Sequence, residues 1–349
     1  MAAPIPPPGE MATAAQRPAP SRAPVPHGAP VVMDHATMRF GEDTAVDDIS
    51  LTVASGTILG IIGPSGAGKT TTVRMMTGAL APTEGTVRVL GEDPRTFRRR
   101  TRERIGYMPQ QFTLYRDLTA RENVDFVASL YGMLFRTRHR RTREVLQLVD
   151  LWDVRGRSAG ALSGGMQRRL ELASALVHDP ILMFLDEPTA GIDPLLRGRI
   201  WEELHRLRDA GRTLLVTTQY VNEAEACDMV ALISDGRLIA LATPDELRHE
   251  AVGGDVILIE TTEPFAGAQL SGLPIVRRVA QENDRSFRVT VDDTSVAMPD
   301  VMEAVTQRGG DVATAREVRP TFDVVFAALV VRDWAAHPEP VAAPTGEVA

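Results

Sequence analysis

Across residues 31–243, short apolar runs alternate with segments whose apolar residues recur every three or four positions. Such alternation predicts a parallel sheet covered by helices. Three of the apolar runs, 57–62, 181–185 and 213–217, read as strands of that sheet, the second of them a buried one. Several helices announce their ends. Thr119 and Glu122 form a capping box before Val124, Val127 and Leu130, while Asp193 and Pro194 open a helix that places Leu196, Ile200 and Leu204 on one face. Gly211 is placed to close the second of these. Asp235-Gly236, between the apolar runs 229–233 and 238–241, predicts a hairpin.

After Thr243 the pattern changes. Thr243, Pro244 and Glu246 make another capped helix start, followed by strand-like runs at 256–259, 275–279 and 287–291. A helix is expected over 298–305, stopped by Gly309-Gly310, and a last apolar helix over 322–331. The chain therefore divides into a main α/β domain over 31–243 and a smaller α+β accessory domain over 244–332. Residues 1–30 are crowded with proline and alanine and carry almost no periodic apolar pattern, so a disordered tail is expected there, with a second loose tail over 333–349.

Length and composition narrow the picture. At 349 residues there is room for about two domains of roughly 150. A hydrophobic content of 44% is ordinary for a folded chain. No apolar run approaches the roughly 20 residues a membrane-crossing helix needs, no secretory signal is readable, and the single cysteine, Cys227, has no internal partner. A cytoplasmic protein is expected. A formal charge of −8 argues against nucleic acid as a partner, which would favour a basic footprint.

Charge also picks out one residue. Of 38 basic side chains only Lys69 is a lysine. Arginine replaces lysine at little cost on a surface, but a site that needs a compact ammonium rejects the planar fork. Lys69 belongs to Gly63-Pro64-Ser65-Gly66-Ala67-Gly68-Lys69-Thr70-Thr71, a phosphate-binding loop pattern set between a strand and a helix. Glycines there let backbone N–H groups curl round phosphate oxygens at a helix N-terminus, Lys69 reaches the β and γ phosphates, and Thr70 is suited to Mg²⁺. A glycine-rich tight turn is the plainer reading, but it does not account for all the fixed positions occurring together.

The run 181–185 delivers Asp186 and Glu187 at its end. Asp186 is suited to hold Mg²⁺, and Glu187 to orient and deprotonate an attacking water. A third element, Leu162-Ser163-Gly164-Gly165-Met166-Gln167, opens a helix with Ser163 as N-cap, a second place where backbone N–H groups face a phosphate.

These motifs, in this order, resemble the ABC-type ATPases over residues 32–242. The resemblance implies a P-loop NTPase with a RecA-like core and a helical subdomain at about 111–178, binding ATP and Mg²⁺. It also implies a dimer, homodimeric or with another nucleotide-binding domain, in which the Lys69 loop of one copy and the Ser163 signature of the other clamp one ATP. By the same resemblance Phe40 stacks on adenine, Gln110 links the Mg²⁺ site to the helical subdomain, and Asp193 acts across the dimer. Phe40 in a plain core, Asp193 as a helix cap and Gln111 in place of Gln110 are the competing readings. One position departs from the common family pattern: Gln219 follows the strand at 213–217 where a histidine is usual. A glutamine stays neutral at every pH yet still donates an amide hydrogen bond, and drug-export members also carry it, so Gln219 is placed in the catalytic set.

The segments 110–123 and 320–326 are similar to those of bacterial ABC-2 type exporter ATPases, which implies multidrug export through a separate membrane-spanning ABC-2 permease at the cytoplasmic face of the plasma membrane. Phe112, Leu114, Tyr115 and Leu118, in a segment read as loop, are expected either to dock that permease or to pack in the core. A phosphotransferase would share Lys69 but has no use for the Ser163 signature, and a non-transport ABC protein usually has two nucleotide domains or long coiled coils.

Overall fold

The computed structural model describes residues 28–336, so the expected tails fall largely outside the described residues. Strands β1 (Val31–Phe40) and β2 (Asp43–Val53) pair antiparallel, with Val31 opposite Val53. After β3 (Ile58–Ile62), the glycine loop and helix α1 (Lys69–Met76), strand β4 (Glu84–Val89) returns to the free edge of β1. The result is a three-stranded antiparallel sheet, β2-β1-β4, in a region where the sequence pattern predicts no antiparallel sheet. Its strands are interrupted by bulges near Met33, Ala36 and Met38, which break the strict two-residue period that would have revealed them.

The chain continues through α2 (Arg99–Arg102), β5 (Ile105–Met108), α3 (Ala120–Leu130), α4 (Phe135–Leu148) and α5 (Gly164–Leu176). The capping box of Thr119 and Glu122 forms as expected at the start of α3, and α3, α4 and α5 pack on one another as a helical unit. Besides the single turn of α2, helix α4 is the one without a sequence forecast. Its arginine-rich stretch buries only Thr142, Val145 and Leu146, too few for a legible stripe.

Next come β6 (Leu182–Asp186), α6 (Pro194–Asp209), β7 (Thr213–Thr218), β8 (Met229–Ser234) and β9 (Arg237–Ala242). Strands β5, β6, β7, β3 and β8 form a parallel sheet in that order, and β9 adds antiparallel to β8 through the Asp235-Gly236 turn. Both faces are covered. Met183 and Leu185 point into the core shared with α3, α5 and α6, while Leu182 and Phe184 point into the core shared with α1 and the antiparallel sheet. A strand buried on both sides must be apolar at every position, which is why 182–185 reads as a continuous run.

Beyond it lie α7 (Pro244–Val252), β10 (Asp255–Thr261), β11 (Arg278–Asn283), β12 (Ser286–Val291), α8 (Thr294–Gln307), β13 (Val312–Glu317) and α9 (Phe322–Ala336). Strands β11-β12-β10-β13 form a second antiparallel sheet under α8, with its own core around Ile257, Phe287 and Val301. Several details differ from expectation, among them the start of α8 at Thr294 and not at 298. The apolar pair Ile275 and Val276 packs against this core from a turn, so the strand begins later, at Arg278. Strand β13 has no fully buried residue, only Val312 and Ala315 half-buried, and gave no signal. Helix α9 leaves this unit: Phe322, Val325 and Leu329 join the core of the six-stranded sheet, beside Leu247 of α7, and α9 extends to Ala336.

Candidate functional site

Strand order decides which loops meet. β6, β7 and β3 are neighbours, with Asp186 opposite Thr217 and Ile62 opposite Thr218. The segments that follow them, starting at Gly63, Glu187 and Gln219, therefore leave the sheet side by side at its carboxyl edge, where open α/β sheets bind ligands.

The loop after β3 is glycine-rich for steric reasons. A Cβ at Gly63 would lie 2.0 Å from the Ile233 carbonyl oxygen, and Gly68 has φ +98° with its missing Cβ 2.4 Å from the Ala45 carbonyl oxygen. Pro64, Ser65 and Gly66 are exposed, Ala67 is buried, and Gly68 caps α1, whose first turn carries Lys69, Thr70 and Thr71. Lys69 is only 5% exposed, and its Nζ donates to the Gly63 and Pro64 carbonyls at 2.8 Å each. Burial pulls the ammonium pKa down, and the negative charges of Glu187 and Asp186 oppose that shift. A compact cation is thus held against the loop, facing two carboxylates.

Asp186 is fully buried. Its Oδ1 accepts from Thr217 Oγ1 at 2.5 Å and from Thr70 Oγ1 at 3.2 Å, while Oδ2 is buried with no hydrogen-bond partner. An unpaired buried carboxylate oxygen beside a hydroxyl is a donor set that suits a hard divalent cation. Glu187 follows in the left-handed region at φ +53°, its N–H donating to Thr217 Oγ1 at 3.0 Å and to the Thr217 carbonyl at 3.1 Å. Thr217, unremarked in the sequence, organises both carboxylate residues.

The other expected residues sit around this centre. Phe40 ends β1 and is 49% exposed, which removes the plain-core alternative. Gln110 is exposed and enters the loop between β5 and α3. Ser163 caps α5, its Oγ accepting from the Met166 N–H, and Gly164 and Gly165 form the first turn. Asp193 caps α6 through the Leu196 N–H at 3.0 Å, as its plainer reading had it. Gln219 is exposed just past β7. Among the described residues no hydrogen bond or ion pair joins Phe40, Ser163 or Asp193 to the Lys69 loop.

Sequence reasoning also missed Arg168 and Glu171. They look like a routine i,i+3 surface pair, yet their side chains are 8% and 2% exposed and their charges meet at 3.1 Å. Opposite charges inside an otherwise apolar helix face were the available signal.

Fold and site define a P-loop nucleoside triphosphatase, with a lysine-bearing phosphate loop beside a strand that ends in two carboxylates. Comparison with known proteins gives the family. The ABC transporter family matches residues 46–190. Daunorubicin resistance ATP-binding protein DrrA3 of Streptomyces coeruleorubidus is 36% identical over 306 residues, 87% of this chain and 96% of that protein. Nod factor export ATP-binding protein I of Burkholderia lata is 40% identical over 237 residues, 68% of this chain and 78% of that one. Among solved structures, the dimeric ATP-binding cassette MJ0796 in a post-hydrolysis state with ADP and Pi matches with a TM-score of 0.57 at 28% identity, covering 61% of this chain and 98% of that one. The chain belongs to the ABC transporter ATP-binding proteins: it binds ATP and hydrolyses it to drive transport.

Proposed function

We propose that this chain is the motor of an exporter for a drug-like or other hydrophobic compound, docked on a separate ABC-2 type permease at the cytoplasmic face of the plasma membrane. The observation that carries its chemistry is the cluster of Lys69, Thr70, Asp186 and Glu187 at one sheet edge, with the Asp186 Oδ2 unpaired. The named activities of the daunorubicin-resistance and Nod-factor export relatives support the direction of transport and the substrate class.

Gly63 to Thr71 hold the ATP phosphates, with the N–H groups of the loop and of the first turn of α1 facing them and Lys69 neutralising the β and γ oxygens. Thr70 and Asp186 hold Mg²⁺, with Gln110 completing the set from the neighbouring loop; the ion supplies charge neutralisation at the phosphates. Glu187 orients the water and takes its proton, and Gln219 donates its amide to the γ-phosphate. Phe40 offers an exposed ring for adenine. Ser163, Gly164 and Gly165 face the nucleotide held by a second copy, and Asp193 acts across the same contact, so hydrolysis requires a dimer.

Two variants test this together. Lys69→Ala loses nucleotide affinity, whereas Glu187→Gln keeps ATP, stops turning over and accumulates as a dimer, because binding survives loss of the chemical step. Gel filtration with ATP and Mg²⁺ reads the difference; a monomeric Glu187→Gln protein at saturating ATP would sink the head-to-tail arrangement.

A further inference from the structure

Arg168 projects from the second turn of α5 into the seam between three segments. Its Nη1 donates to the carbonyls of Pro109 at 2.6 Å and Gln110 at 2.9 Å, and to Glu171 Oε2 at 3.1 Å. Its Nη2 donates to the Asp186 carbonyl and, at 2.8 Å, to the Glu187 carbonyl, which also accepts from Nε at 3.1 Å. Glu171 in turn accepts the Thr113 N–H on Oε1 at 2.9 Å. One buried pair therefore ties the signature helix to the loop 109–113 and to the main chain of both acidic residues. Burial pushes the Glu171 carboxyl pKa up, and the Thr113 N–H and the Arg168 guanidinium pull it back.

Glu187 needs such a holder. A non-glycine residue at φ +53° occupies a backbone region that persists only where its surroundings impose it. Its N–H is fixed by Thr217 from β7, and its carbonyl is gripped by two nitrogens of Arg168 from α5. Only a planar guanidinium presents donors in a fork that spans carbonyls on two segments; an ammonium is a point charge.

We infer that Arg168, braced by Glu171, is a positioning residue for hydrolysis: it sets the backbone of Glu187, and so the aim of its carboxylate, from the same side chain that holds the Gln110 loop. Movement of α5 relative to the sheet then reaches the water-handling carboxylate directly. The inference rests on Glu187 being that carboxylate.

The test compares the full chain with its Arg168→Met and Arg168→Lys variants. Arg168→Lys keeps the charge that compensates Glu171 but not the fork. Both are expected to lower kcat about 10- to 100-fold, as small misplacements of a reacting group do. ATP affinity without Mg²⁺, read by fluorescent-nucleotide titration, should stay within about twofold, because the Lys69 loop is untouched. In a Glu187→Gln background, Arg168→Lys should leave the residual single-turnover rate unchanged, since a residue acting through Glu187 has nothing further to lose. Wild-type kcat in either folded variant would overturn the inference. So would a parallel loss of affinity and rate, an additive loss in the Glu187→Gln background, or failure of both variants to fold, each of which marks a purely structural pair. Wild-type turnover in Glu187→Gln alone is a different failure: it removes Glu187 from the chemistry, and the inference with it.

Discussion

The hydroxyl of Thr70 donates to Oδ1 of Asp186 at 3.2 Å, joining the first turn of α1 to the end of a strand 116 positions away. Thr217 donates to the same oxygen, so both hydroxyls crowd one side of the carboxylate and Oδ2 is left buried and unpaired. Leaving such an oxygen unmatched costs about 1–3 kcal/mol or more, a cost that a bound cation removes. Asp186→Asn is therefore expected to abolish Mg²⁺-stimulated hydrolysis, by on the order of 100-fold or more, as loss of a metal's charge stabilisation implies. Equilibrium binding of ATP without Mg²⁺ should change far less. A Mg²⁺ titration of ATPase rate checks it; an unchanged midpoint and maximum would exclude Asp186 from the metal site.

Elements built from short-range rules were legible in the sequence. Strand β6 is buried on both faces and shows as an unbroken apolar run, while the starts of α3, α6 and α7 are written in Thr119, Asp193 and Thr243, each of which accepts the predicted backbone hydrogen bond. The phosphate loop was legible because its steric demands fall on consecutive residues. What escaped depends on contacts distant in sequence. The sheet β2-β1-β4 is interrupted by bulges, and β13 has few inward residues. Thr217 gains its role only from the register that sets it opposite Asp186. Arg168 gains its own from a fold that brings residues 109, 110, 186 and 187 to one guanidinium.

Gln219 follows the last residue of β7, next to the strand that leads into the phosphate loop. Its amide can donate to a γ-phosphate at every pH, so activity need not follow the titration that an imidazole there would impose. Gln219→Ala should slow turnover at saturating ATP by about 10-fold or more, the scale of one lost donor to a charged transition state. Gln219→His should retain more activity than Gln219→Ala and acquire a new dependence on pH near the imidazole range. Wild-type turnover in Gln219→Ala would make the residue a bystander.

His178, between α5 and β6, stacks on Tyr131 with ring centroids 3.6 Å apart. Its Nε2–H is set to donate to the Ile105 carbonyl at 3.0 Å, and Nδ1 is buried without a partner. Burial holds its pKa below the usual histidine value, with the Ile105 hydrogen bond opposing. A lowered folded-state pKa means that the unfolded chain binds the proton first as pH falls. The stabilising contribution is therefore complete above the unfolded value and is lost as pH drops through the folded one. Wild-type Tm should fall between pH 8 and pH 5, and His178→Phe, though less stable at pH 8 for want of the hydrogen bond, should show a smaller fall. Equal pH slopes for the two proteins, measured by calorimetry, would rule His178 out as a source of acid sensitivity.

Tyr115 and its neighbours divide between core and surface. Phe112 and Leu114 pack against the core beside the helical unit, so the core reading holds for those two side chains, while Leu118 is half-buried. Tyr115 is 57% exposed, its ring edge-on to Phe126 at 5.2 Å, and Leu130, also on α3, is 66% exposed. Buried Asn123 fixes this loop from below, accepting the Tyr115 N–H and donating to the carbonyls of Tyr115 and Leu118. The aromatic is thus displayed on a braced loop directly after Gln110, the form expected of an anchor for a permease. Truncation at Tyr115 should cost the isolated protein only the ring contact, about 0.5–1.5 kcal/mol. Tyr115→Ala is accordingly expected to fold and hydrolyse ATP at a rate within about twofold of wild type, while losing co-purification with the permease and cellular export, as removal of a central aromatic contact does. Phe112→Ala should instead lower Tm, because it opens a cavity beneath the same loop. Normal export by the Tyr115→Ala protein would take this residue out of the interface.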